Sequence, residues 1–145
     1  MKEEIWWSCP TEAENGRTVI VTGHDGLEGL RNKGKHHFRL EVSLKYEADK
    51  DGMPTPESEE LLDAATEAFH AALKKDTAVV MTGIYTGDGQ RDWVFYATSL
   101  FIFQKVFNRA LESLEQMPLA IEAYEDPQWE EYEEMRTLTY IPDED

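Results

Sequence analysis

The sequence predicts an α+β fold built on a β-α-β-β-α-β core. Three stretches carry that prediction. From 38 to 46 apolar and polar residues alternate; from 56 to 75 apolar residues recur at helical spacing; and two apolar runs, 78–85 and 91–98, flank a short glycine-rich join. A period of two, then 3.6, then two again is the signature of strands and helices sharing one core.

Taken in order, Thr18-Val-Ile-Val-Thr22 is a β-branched run and reads as a strand, after a turn at Glu14-Asn15-Gly16. Gly23, Gly26, Gly29 and Gly34 then punctuate a polar segment expected to be loop. Phe38, Leu40, Val42, Leu44 and Tyr46 form one face of the clearest strand, with Arg39, Glu41, Ser43 and Lys45 on the other. Asp49 to Pro54 is a turn by composition. Thr55 then serves as N-cap and Pro56 as first residue of a helix whose apolar stripe is Leu61, Leu62, Ala65, Phe69, Ala72 and Leu73.

The two following strands are joined by Thr86-Gly-Asp-Gly-Gln90, where Asp88-Gly89 is a strong hairpin signal. A second helix is expected from about Ser99 to Met117, stopped by Pro118, and a last strand from Leu119 to Tyr124. Asp126-Pro127 opens a short final helix, with Trp129 and Tyr132 on one face, and the acidic tail from 137 is expected to fray. The simplest topology is a ferredoxin-like sandwich, an antiparallel sheet with both helices on one face, plus an extra N-terminal strand and a short C-terminal helix. The 145 residues are read as one domain, with a core at 36–135, an N-terminal extension at 1–35 and an acidic tail at 137–145.

Composition narrows the function. Thirty acidic residues face fourteen basic ones, a net charge of −16, which opposes direct nucleic-acid binding because phosphate attraction dominates that affinity. The charge is uneven. Ten acidic side chains lie between 122 and 145 against one basic, Arg136, whereas Arg31, Lys33, Lys35, Arg39 and Lys45 meet only Glu41. One cysteine, Cys9, excludes an internal disulfide, and no apolar run suggests a leader or a membrane span, so a cytoplasmic location is expected.

The hairpin from Gly83 to Tyr96, a threonine-glycine turn followed by Arg91-Asp92 and an aromatic-rich strand, resembles the central motif of a bacterial family, domain of unknown function 695. The segment Asp126-Pro-Gln-Trp-Glu-Glu-Tyr132 is similar to that family's closing motif, and the resemblance spans roughly 36–135. It implies a ferredoxin-like fold distantly similar to the regulator of ribonuclease E activity, a small acidic protein that binds and inhibits an RNA-degrading enzyme. It implies no catalytic residue.

No catalytic, cofactor-binding or metal-ligand set emerges from the residues themselves. His24, His36, His37 and His70 lack zinc-site spacing, and Cys9 matches no nucleophile signature. Gly23-x-x-Gly26-x-x-Gly29 follows a strand, but Asn32-Lys33-Gly34 leaves no room for the helix that would hold a phosphate. The candidate interaction residues are Asp88, Arg91 and Asp92 at the hairpin mouth, with Trp93, Trp129 and Tyr132 among the aromatics. The strand 91–98 is apolar on both faces, so its second face needs cover from the Trp6-Trp7 pair or from a partner, a homodimer included. Two functions follow: a non-enzymatic regulatory or immunity-type protein whose acidic surface docks on a basic protein, or a small enzyme or ligand binder using a cleft between the glycine-rich loop and the hairpin at 86–92.

Overall fold

A computed structural model of the chain describes residues 4–141. Its elements are β1 Ile5–Glu12, β2 Thr18–Asp25, α1 Glu28–Asn32, β3 Phe38–Lys45, α2 Pro56–Leu73, β4 Val79–Gly87, β5 Gln90–Ala97, α3 Leu100–Leu111, β6 Ala120–Glu125 and α4 Glu130–Thr139. The strands form one antiparallel sheet in the order β1-β2-β4-β5-β3-β6. β3 and β4 both run antiparallel to β5, which lies between them, and β5 and β6 both run antiparallel to β3, so the connections through α2 and α3 each return the chain parallel to the strand it left with one strand between.

Helices α2 and α3 cover one face. Leu40, Val42 and Leu44 of β3 and Trp93, Phe95 and Ala97 of β5 meet Leu62, Ala65, Phe69, Phe103, Phe107 and Ala110 there. Phe69 is central, edge-on to Trp93 and Phe95 at 5.4 Å and stacked on Phe107 at 5.6 Å. Thr55 caps α2 through the Ser58 amide, with Pro56 in the first turn, as its sequence dictates. A bulge between Met81 and Gly83 shifts the parity of β4, so Val79 and Met81 before it and Ile84 after it reach the same core.

The second face of β5 is covered by the chain itself. Val94 and Tyr96 pack with Val21, Leu27, Trp129, Tyr132 and Met135, which brings α4 and α1 against the sheet. The two tryptophans expected to act together part company: Trp6 joins the core under α2, and Trp7 the core under α4, because neighbours on a strand point to opposite faces. Trp7 lies across its register partner Gly23, where an added Cβ would fall 2.1 Å from the indole.

Several expectations need correction. The N-terminal region supplies two strands, not one. β1 escapes a sequence reading because Pro10 interrupts it, which an edge strand tolerates. The segment 23–34 carries α1, drawn in by the burial of Leu27 and the packing of Leu30. α3 stops at Leu111, where turn bonds such as Leu114 N–H to Leu111 O replace it, although Leu114, Met117 and Leu119 still pack on the core. The last strand is displaced by one residue. α4 starts at Glu130 and continues to Thr139, whose hydroxyl receives the Trp7 indole N–H at 2.8 Å; the end of the acidic tail, 142–145, lies outside the described residues.

Asp126 explains the late start of α4. The segment Asp126–Trp129 first makes a turn, closed by Trp129 N–H to Asp126 O at 3.1 Å, and Trp129 sits in the left-handed region at φ 57°. That conformation costs about 1 kcal/mol for a residue with a Cβ. It is held by the stack of Trp129 on Tyr96 at 4.5 Å and by the indole N–H donated to His36 O at 2.9 Å. The Asp126 carboxylate, 3% exposed, then accepts from the Glu130 and Glu131 amides, from the Tyr96 hydroxyl at 2.7 Å and from Arg39 Nη1 at 2.8 Å. Burial pushes this carboxyl up, but those four donors outweigh it and hold it below the usual carboxylate range.

Two outcomes follow for stability, both read by urea denaturation. Gly23→Ala should cost about 2 kcal/mol by driving Trp7 off the strand, whereas Gly29→Ala, with nothing within 4 Å of the new methyl group, should stay within about 0.5 kcal/mol of the parent. Asp126→Asn should cost about 3 kcal/mol at neutral pH by stranding the buried end of Arg39. Because the Asp126 carboxyl is depressed from 3.8, its contribution is complete above that value and is lost as pH falls through the folded one. The gap between parent and variant should therefore close only below about pH 4.

Candidate functional site

The helices α2 and α3 are too few to cover a six-stranded sheet. On their side, the β1–β2 end is left bare, and a cleft of about 490 Å³ opens between α2 and those strands. Its floor is Ile20 and Thr22 of β2, Ile84 and Thr86 of β4 and Arg91 of β5, side chains that the register brings to one face. Its helical wall is Glu59, Asp63, Thr66 and His70, a polar stripe at spacings of four, three and four beside the apolar stripe of α2. Trp6 forms the opposite wall, stacked on His24 at 4.3 Å and edge-on to His70 at 5.4 Å. Met53 and Pro54 close one end.

Arg91 is the anchor of the cleft. Its Nε–H donates to Thr86 Oγ1 at 2.8 Å, and Nη1 donates to Asp63 Oδ1 at 3.1 Å and Thr66 Oγ1 at 3.3 Å. Thr66 Oγ1 also accepts the Trp93 indole N–H at 2.9 Å and donates to Leu62 O, so its bonding is complete. Nη2 has no protein partner among the described residues, and the residue lines the cleft. The Arg91 side chain is only 12% exposed, while Asp63 is 59% exposed, so the pair joins a seated cation to a solvated carboxylate at the lip.

A family model, Family of unknown function (DUF695), matches residues 6–135. The chain belongs to this family. No curated protein and no solved structure matches the chain. The DUF695 match begins at Trp6, so β1, β2 and the glycine-rich segment, which the motifs at 83–96 and 126–132 did not reach, lie within the family domain.

Within this DUF695 domain the sequence candidates go to four places. Arg91 and Asp92 point to opposite sides of the sheet. Arg91 enters the cleft; Asp92 accepts from Gln90 Nε2 at 2.7 Å and borders a separate hollow with Tyr85 and Asp88. Asp88 sits in the tight turn at φ 52° and accepts from Asn15 Nδ2 at 3.0 Å and Arg17 Nη1 at 3.4 Å, pinning the β1–β2 hairpin to the β4–β5 hairpin. Trp93 is fully buried under α2. Trp129 and Tyr132, 1% and 3% exposed, are buried under α4, where Tyr132 donates its hydroxyl to His24 O. The three aromatics thus build the two cores from inside, and the surface open to a partner belongs to other residues.

The glycine-rich segment does not border this cleft. Leu27 and Leu30 take it to the α4 side, where Arg31 donates to Glu133 at 2.6 Å and to Gln128 O at 2.9 Å. The histidines are dispersed too. His24 Nδ1 lies 2.9 Å from Met81 O, His36 Nε2 2.9 Å from Thr77 O and His37 Nε2 2.6 Å from Gly34 O, so in each ring the nitrogen facing the carbonyl carries the proton. Burial lowers the pKa of His24 and His36. Among the described residues no three His, Cys, Asp or Glu side chains gather as a metal-ligand set.

Trp6, Glu59, Asp63, Thr66, His70 and Thr86 were missed as site residues. The i, i+4, i+7, i+11 polar stripe of α2 was the available signal; the pairing of Trp6 with α2, across some sixty residues of chain, had none.

Arg91 and Asp92 should separate in mutagenesis. Arg91→Ala, which leaves the buried Thr86 hydroxyl without its partner and unties β5 from α2, should lower stability by about 2 kcal/mol in urea denaturation. Asp92→Ala should change it by less than about 0.5 kcal/mol.

Proposed function

We propose that the protein is a non-enzymatic interaction or regulatory module that docks on a basic protein partner. One observation carries this reading: the solvent side of α2 presents Glu57, Glu59, Glu60, Asp63 and Glu67, all exposed, with no Lys or Arg between 56 and 73. Only Asp63 of these has an ion-pair partner among the described residues. An unpaired carboxylate face on a chain of net charge −16 attracts a basic surface and raises its rate of encounter.

The polar groups of the cleft support binding rather than turnover. Thr66 and Thr86 are engaged with Arg91, and the charged neighbour of His70 is Glu4 at 3.8 Å, not a hydroxyl or thiol it could activate. The second reading, a small-ligand binder or small enzyme at the cleft near the 86–92 hairpin, draws on one fact: about 490 Å³ falls within the size range of small-molecule sites.

The core from β3 to β6 is read as ferredoxin-like, supported by the strand order β4-β5-β3-β6 and by α2 and α3 packing on one side. With it goes the likeness to the regulator of ribonuclease E activity, which would make an RNA-processing enzyme one partner; a toxin held by an immunity-type protein is another. Both suit a cytoplasmic protein, and no helix among the described residues is long and apolar enough to cross a membrane.

The full chain, immobilised and exposed to host extract, should capture a basic protein whose binding weakens steeply between low and high salt. With that partner purified, Glu57→Lys, Glu60→Lys and Glu67→Lys together should slow association by about tenfold while leaving the melting temperature nearly unchanged. A partner of acidic charge, or association indifferent to both salt and the triple reversal, would count against docking.

A further inference from the structure

We propose that the cleft between α2 and the β1–β2 end of the sheet is the anchor site of the docking surface. It takes a lysine or arginine side chain, with the adjoining backbone, from an extended segment of the partner. This inference rests on the docking reading and specifies where it is anchored.

The chemistry of the walls selects the occupant. Glu59 and Asp63 stand on the lip and Arg91 on the floor, so the fixed charges of the lining sum to negative. The carboxylate of Glu4 adds to that bias beside His70. A cation is therefore favoured over an anion, even though an arginine lies at the bottom. Trp6 adds an aromatic wall that suits a cationic group with an apolar stem. Its indole already lies against His24 on one side, which fixes it in place without closing the cleft.

The floor explains why the occupant is a peptide rather than a bare amine. Arg91 Nη2 presents two N–H groups without a protein acceptor among the described residues. Thr86 Oγ1, in a residue 7% exposed, accepts from Arg91, and its own hydroxyl proton has no acceptor among them either. Donors at the floor and carboxylates at the lip match backbone carbonyls lying deep and a cationic side chain reaching outward. Ile20, Ile84, Met53 and Pro54 provide apolar contact for the stem between them.

The site also continues the acidic face. Glu59 and Asp63 belong both to the cleft and to the solvent side of α2, so a basic partner drawn in by Glu57, Glu60 and Glu67 arrives at the cleft mouth. Long-range attraction and close-range selection thus lie along one helix.

The test uses the full chain, isotope-labelled, with the blocked peptide acetyl-Ala-Ala-Lys-Ala-Ala-amide. Three comparison ligands are the same peptide with acetylated lysine, the same peptide with glutamate, and n-butylamine. The lysine peptide should shift the Trp6 indole, Thr66 and Thr86 signals in a saturable way. The acetyl-lysine peptide should bind on the order of tenfold more weakly, butylamine more weakly than the lysine peptide, and the glutamate peptide without saturation. Glu59→Gln, an exposed substitution that spares the fold, should weaken the lysine peptide severalfold. Trp6→Phe should do the same while Gly29→Ala does not.

Equal binding of the lysine and acetyl-lysine peptides, saturable binding of the glutamate peptide, or lysine-peptide shifts confined to the outer side of α2 and to α4 would each overturn the inference. Salt-sensitive capture of a basic partner can succeed while the cleft signals stay unmoved. That result would remove the anchor and leave the docking reading standing, whereas failure of both would remove both.

Discussion

The buried carboxylate of Asp126 is the constraint on which the rest of the structure depends. β5 is apolar on both faces, so the sheet is stable only if something covers Val94 and Tyr96 on the side away from α2 and α3. The chain does this with α4, and α4 is held by a carboxylate that binds two of its first amides, the Tyr96 hydroxyl and Arg39 at once. One side chain thereby fixes the helix start, the strand it covers and the neighbouring strand. A charge with that many donors is stable where an unpaired one would be expelled. The nearby Glu131 shows the contrast: burial pushes its carboxyl up despite bonds from the Tyr85 and Tyr96 hydroxyls and the attraction of Arg39.

Fixing α4 on one side has a consequence on the other. The two faces of the sheet are covered to different extents along its width. α4 reaches β1 and β2 from one side, with Trp7 and Tyr132 filling the contact, whereas α2 and α3 on the other side cover only the middle strands. The uncovered shelf is the floor of the cleft. The cleft thus follows from adding a two-stranded hairpin to a core whose two long helices were already committed to other strands. Trp6 then supplies the wall that a third helix would have supplied.

Those parts of the fold set by local pattern were legible in the sequence. β3, α2, the 86–90 turn and the double-sided burial of β5 all follow from periodicity and turn chemistry over a few residues. What escaped depended on partners far along the chain. β1 looks unlike a strand because Pro10 breaks the pattern and because Trp6 and Trp7 serve different cores, which only the assembled sheet distinguishes. Asp126 was recognisable as a cap, but a turn through Trp129 at positive φ delays the helix it caps by three residues, and that turn is stabilised by Tyr96 and His36 rather than by its own sequence. Among the candidate site residues, strand parity alone should have parted Arg91 from Asp92; their adjacency in sequence suggested one site where the sheet makes two.

The position of Arg91 bears on what kind of surface this is. A chain of such negative charge would gain attraction for a basic partner by having no cation in its cleft at all. Arg91 instead directs its Nε and Nη1 donors to Thr86, Thr66 and Asp63, joining the sheet to α2, and leaves Nη2 without a protein partner among the described residues. Its charge is largely matched by Asp63, so what the cleft receives from it is directional donors rather than positive potential. Glu59 is left unmatched, and the rim stays acidic. Electrostatics alone would make the protein adhere to any basic surface. In the proposed docking site, a floor of fixed donors beneath an acidic rim would demand in addition an occupant that carries its carbonyls and its cation at the right separation, and that demand would be the physical source of selectivity.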